Sequence, residues 1–147
     1  MTSFPHLLIP QPARIRIYPL ETVVAEKFAA LLELGRATTR MKDLYDLHTI
    51  LSRETFELSL LQQVTLRAFM NRNTPRKAQE EVFSPEFWDD PALQGRWRLF
   101  LRRTGLDAPQ NLRTLMETLA GFLQPTLGPS AAKTWVPERG NWQNPSP

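Results

Sequence analysis

Lys27 stands on the wrong side of a helix. Placed at ~100° per residue, the stretch 20–34 puts Leu20, Val23, Val24, Phe28, Leu31 and Leu34 on one face. Thr22, Glu26, Ala29 and Glu33 fall on the other, and Lys27 falls in the middle of the apolar set. A buried ammonium is costly unless it is paired or its stem snorkels to the edge. Two roles fit such a lysine. It is the cation of an internal ion pair, or it is a compact point charge held in a cleft for phosphate oxygens.

A second group of charges follows at once. The run Thr39-Arg40-Met41-Lys42-Asp43-Leu44-Tyr45-Asp46-Leu47 holds two cations and two carboxylates within seven residues. Leu44, Leu47 and Leu51 share an inward face, while Lys42, Asp43 and Asp46 lie together on the neighbouring arc. Lys42 and Asp46 are four apart, so they can pair across one turn. A solvated face with local salt bridges is the common reason for such a pattern. These charges, however, open a helix, and a helix N-terminus already attracts anions. Arg40 and Lys42 there would deepen a phosphate site, and Asp43 would accept a proton or orient a cation.

Other chemistry is sparse. His48 sits at the edge of an apolar helix face and reads as a boundary residue, and His6 lies in an extended lead-in. Two histidines and no cysteine leave no transition-metal cluster, no disulfide and no thiol catalysis. Arg72, Arg76 and Lys77 form a small basic loop, read as solvated, and Trp88 and Trp97 read as core. Neither a Walker loop nor GxGxxG, GxSxG or HExxH occurs.

The elements that must position Lys27 and the Arg40–Asp46 cluster are mostly helices. Pro19 suits the first helical position and Gly35 ends the helix it opens. Helices are expected over 20–34, from 39 or 40 to 51, over 54–70, in a turn at 86–90, over 91–103, and from about 109 to 123. The last has the cleanest amphipathic pattern, with Leu112, Leu115, Met116, Leu119, Phe122 and Leu123. Arg14-Ile15-Arg16-Ile17-Tyr18 alternates as a half-buried strand does. A lone strand needs a neighbour for its backbone groups. The fold class is therefore mainly α, about five helices in a bundle with one N-terminal strand and a Pro-rich tail. Residues 1–13 are an extended lead-in, 14–123 the helical domain, and 124–147, with five prolines, a flexible tail except where Trp135 or Trp142 docks.

Composition sets the outer bounds. The chain has 147 residues, 41% hydrophobic and 22% charged, which suits one globular domain and excludes wholesale disorder. No apolar run reaches the roughly eighteen residues of a membrane span. No signal peptide is recognisable, so the expected compartment is the cytoplasm. Eighteen basic against fifteen acidic groups give +3, mixed along the chain. Nucleic-acid binding is permitted but not demanded, and no DNA specificity is evident.

Taken together, Tyr18-Pro19-Leu20-Glu21-Thr22-Val23-Val24-Ala25-Glu26-Lys27 and Thr39-Arg40-Met41-Lys42-Asp43-Leu44-Tyr45-Asp46-Leu47 resemble the third motif of the AbiEii/AbiGii-type nucleotidyltransferase toxins, a helix with AEK, a spacer and R-x-K-D-x-x-D. Arg72-Asn73-Thr74-Pro75, Phe83, Trp97 and Phe122-Leu123-Gln124-Pro125 extend the resemblance over about 14–126. The family also carries a Gly-Ser motif and an acid–x–acid pair that holds Mg2+, in a polymerase β-like N-terminal half. Neither precedes Arg14 here. The resemblance thus covers the C-terminal part of the family and makes the strand at 14–18 the last of a nucleotidyltransferase sheet.

The resemblance implies a role for each matching residue. Lys27 would contact the nucleoside triphosphate and act in catalysis with Asp43. Arg40 and Lys42 would shape the phosphate end, and Asp46 would support them. None of these is a metal ligand. The implied cofactors are Mg2+ and an NTP, none bound securely by this chain alone. The implied partners are a cognate antitoxin and tRNA or another RNA or protein acceptor. The expected protein is a toxin component of a type IV-like toxin–antitoxin or phage-defence system, truncated or partial and inactive alone. The alternative is a non-catalytic helical module that binds a partner protein or RNA.

Overall fold

A computed structural model describes residues 19–35, 40–74, 80–129 and 132–144. The strand expected at 14–18, the lead-in, His6, Arg76 and Lys77 lie outside the described residues. Helix α1 spans Pro19–Leu34 and α2 spans Met41–Arg53. A two-residue strand, β1 (Phe56–Glu57), leads into α3 (Leu58–Arg72). A helical turn at 80–82 is α4. Then come α5 (Pro85–Trp88), α6 (Pro91–Thr104), α7 (Leu112–Leu123) and a 3-10 turn at Gln124–Leu127. The short strands β2 (Thr134–Val136) and β3 (Asn141–Gln143) close the described chain.

Local chemistry sets these boundaries. Ser84 accepts a hydrogen bond from the Phe87 amide, and Pro85 follows it at the first helical position. Asp90 accepts from the amides of Ala92 and Leu93. Asn111 accepts from the amide of Arg113, so α7 begins at Leu112 rather than at Pro109. Gly105, at φ +68°, stops α6 in the left-handed region that glycine tolerates. Asn73, at φ 54°, does the same for α3.

The bundle is mainly helical, as expected, but α1 is buried more widely than one face. It lies along α3 and also touches α2. Val24, Ala25, Phe28 and Ala29 are all inaccessible, while Leu34 at its end is 38% exposed. Ala29 therefore moves from the expected polar face into the core, and Leu34 leaves the expected apolar one. Phe28 meets Phe69 edge-on at 5.2 Å and Phe83 at 5.9 Å.

The Pro-rich stretch folds back onto the bundle. β1, β2 and β3 form an antiparallel sheet in that order, with Phe56 opposite Trp135 and Trp135 opposite Trp142. So small a sheet is marginal alone, and packing on α7 supports it. Phe122 touches Phe56, Trp135 and Trp142 at ring distances of 5.3, 4.8 and 5.7 Å. Trp135 donates its indole N–H to the Leu51 carbonyl, and Trp142 donates to that of Phe122. The Gln62 amide nitrogen lies 3.0–3.2 Å from the carbonyls of Pro125, Gly128 and Pro129. Trp88 and Trp97 are helix-borne packing residues, as their spacing predicts. Trp97 is fully buried and donates to the Pro109 carbonyl, and Trp88 donates to that of Val82.

Trp135→Ala removes a fully buried indole and leaves the Leu51 carbonyl without its donor. Its expected cost is about 3–5 kcal/mol, read from the urea midpoint of unfolding. A loss below 1 kcal/mol would mean that the C-terminal hairpin contributes nothing to the core.

Candidate functional site

The two charged motifs meet. α1 brings Lys27 and the first half of α2 brings Asp43 and Asp46, and Gly35, at φ +52°, follows the end of α1. The Lys27 Nζ donates to Asp43 Oδ1 at 2.8 Å and stands 3.0 Å from Asp46 Oδ2. Arg40 Nε lies 2.6 Å from Asp43 Oδ2. Lys42 Nζ donates to both oxygens of Asp46, at 3.0 and 3.1 Å. Three cations and two anions thus alternate in a row: Arg40, Asp43, Lys27, Asp46, Lys42. The row carries one net positive charge.

Its members grade from interior to solvent. Side-chain exposure is 11% for Asp43, 21% for Lys27 and 23% for Asp46, but 52% for Arg40 and 65% for Lys42. The inner trio is the part that water cannot screen well. Burial works against the Lys27 ammonium, yet hydrogen bonds and charge from Asp43 and Asp46 outweigh it and hold its pKa above the ordinary 10.5. Stability from this pairing is fully present below pH 10.5 and is lost as pH rises through the folded value. Lys27 is therefore an ammonium throughout the neutral range.

Asp43 is held from two sides, by Lys27 and by Arg40. Its Oδ2 is buried and accepts no aligned hydrogen bond, although the Arg40 guanidinium stands close enough to attract it. Arg40 occupies the cap position without a side-chain cap bond, so the first amides of α2 receive nothing from that side chain.

A cleft of about 280 Å³ runs beside the row, lined by Thr22, Val23, Glu26, Lys27, Arg40 and Arg72. Ligand pockets of ~300 Å³ and upwards are usual, so this one has room for part of a nucleotide. Sequence reading placed Arg72 in a solvated loop. It instead ends α3 and reaches α1, pairing with Glu26 at 3.1 Å and Glu33 at 2.7 Å. Only the packing of α3 along α1 makes it a wall of the cleft, and no local spacing signals that. His48 stays apart, half-buried on α2.

The site does not fit a magnesium ion. Mg2+ binds carboxylate oxygens in a strict octahedron, and both carboxylates here already hold Lys27, with Arg40 and Lys42 on their remaining oxygens. Among the described residues no three His, Asp or Glu side chains stand together as a metal site. No helix among the described residues is long and apolar enough to cross a membrane.

Two outcomes are expected from this geometry. A double-mutant cycle of Lys27→Ala and Asp43→Ala, followed by urea unfolding, should give a coupling of about 1–3 kcal/mol; additive costs would mean that the pair is not formed. His48 titrates below its ordinary value of 6.5 because burial disfavours the imidazolium. The unfolded chain then takes up its proton first, so stability is full above pH 6.5 and falls as pH drops through the folded value. His48→Gln should flatten that part of the stability profile, and an unchanged slope would place the titration elsewhere.

Comparison with known proteins gives one family. A family model described as nucleotidyl transferase AbiEii toxin, type IV TA system, matches residues 1–123. No curated protein and no solved structure matches the chain.

Proposed function

The chain belongs to the AbiEii family of nucleotidyl transferase toxins of type IV toxin–antitoxin systems, and from that footing we propose that Lys27, Arg40, Lys42, Asp43 and Asp46 form the phosphate-binding and proton-accepting side of a nucleotidyl-transfer site. The observation that carries this reading is the meeting of Lys27 with Asp43 and Asp46 beside a cationic cleft. Two motifs sixteen residues apart have no local reason to share one ion-pair row.

In this reading the triphosphate of an NTP lies along the cleft. Lys27 is the inner point charge for its oxygens, Arg40 offers a planar fork at the entrance, and Lys42 adds an outer charge. The N-terminus of α2 favours the same anion. Asp46 holds Lys27 and Lys42 in place. The oxygen of an acceptor hydroxyl attacks the α-phosphorus, the bond to the β-phosphate bridging oxygen breaks, and pyrophosphate leaves. The hydroxyl proton passes to the Asp43 carboxylate, whose Oδ2 faces the Arg40 guanidinium. Lys27 and Arg40 stabilise the charge that builds on the phosphates. The family's acid–x–acid pair for Mg2+ is not among these residues, so that pair is supplied from elsewhere, in cis or in trans. A cognate antitoxin is the protein partner that this reading includes.

The satisfied ion pairs also support a second reading, in which the row only fastens α1 to α2 and the chain is a binding module. Labelled-NTP transfer to tRNA separates the two. In whatever assembly gives transfer, Lys27→Ala and Asp43→Ala should each lower the rate by about 10² or more while circular dichroism stays unchanged. Normal transfer by both variants would refute the site. Loss of helicity in Lys27→Ala would assign that residue to the fold instead.

A further inference from the structure

α6 has two unlike sides. Leu93, Trp97 and Leu101 are buried, with Phe100 beside them. Arg96, Arg98, Leu99, Arg102 and Arg103 are all exposed. At 100° per residue these five cover an arc of ~160° opposite the buried set. No acidic residue occurs between Pro91 and Thr104. Arg98 donates to Gln94, a neutral partner one turn back. The net charge of the whole chain depends on this helix: without its four arginines, fourteen basic groups face fifteen acidic ones.

We propose that this arginine face of α6 is a docking surface for the phosphate backbone of RNA. Charge complementarity selects a polyanion. The residue type selects phosphate, because every cation on the face is an arginine, whose fork matches phosphate oxygens bidentately. A protein interface of comparable size would need a buried aromatic or aliphatic anchor, and the face offers only Leu99, 36% exposed. The four arginines span ~10 Å of helix axis, room for several successive phosphates. α6 also packs on the helix that carries the ion-pair row, with Phe100 6.4 Å from Tyr45, the residue beside Asp46. In a transferase the bound RNA is the acceptor, a role that rests on the reading above, whereas the binding face does not.

The test is fluorescence anisotropy with a labelled tRNA pool and a labelled oligouridylate, on the full chain, across a salt series. Wild type should bind both, with affinity falling as salt rises. The triple variant Arg98→Gln, Arg102→Gln, Arg103→Gln should bind about tenfold or more weakly, with the log–log salt slope shallower by about 2. Arg102→Gln alone, which barely perturbs the helix, should lower the slope by about 0.7. Lys27→Ala should keep RNA binding, and the triple variant should keep NTP binding by calorimetry, so failure of the transfer reading and failure of this one are read separately. Unchanged RNA binding in the triple variant, or none in wild type, would overturn the proposal. So would displacement of RNA by polyglutamate as readily as by unlabelled oligouridylate, which would give the face to an acidic protein.

Discussion

An ammonium on the inner side of a helix must have anions within reach, and that need ties α1 to α2. Lys27 points inward against Asp43 and Asp46, and each carboxylate carries a second cation, Arg40 or Lys42. Breaking one member strands the others. Two members of the row that joins the helices, Lys27 and Arg40, also line the cleft. A phosphate chain entering there would find its cations already aimed and already partnered. Binding becomes an exchange of anions around fixed cations rather than the ordering of free side chains.

The second constraint is aromatic. Phe122 near the end of α7 gathers Phe56, Trp135 and Trp142 around one ring, and each tryptophan indole donates to a backbone carbonyl of a helix. A sheet of strands two and three residues long has too few ladder bonds to persist by itself. It persists as the lid of this cluster. The charged row sits in the first half of α2 and the aromatic cluster at its other end, where the Leu51 carbonyl receives the Trp135 indole.

The helices were legible because their apolar spacing, prolines and glycines are local signals. The ion-pair partners were half legible: an inward lysine announces that it needs an anion, and a dense R-x-K-D-x-x-D run offers two. What sequence could not supply was geometry between elements. β1 is two residues long, below any periodicity, and the apolar Phe56 in it was absorbed into the expected third helix. Trp135 and Trp142 lie among prolines that read as a tail. Arg72 gained its place only through the packing of α3 on α1. The α6 arginines were hidden differently, since acidic residues elsewhere offset them in a net charge of only +3.

The docking of Trp135 on the Leu51 carbonyl joins positions 84 residues apart. During synthesis the chain emerges from its N-terminus at about 5–20 residues per second, so Leu51 waits for its indole for roughly 4–16 s. Through that interval Phe56 lacks the ring that closes over it. The helices of this chain thus leave the ribosome before the β2–β3 hairpin that closes over them.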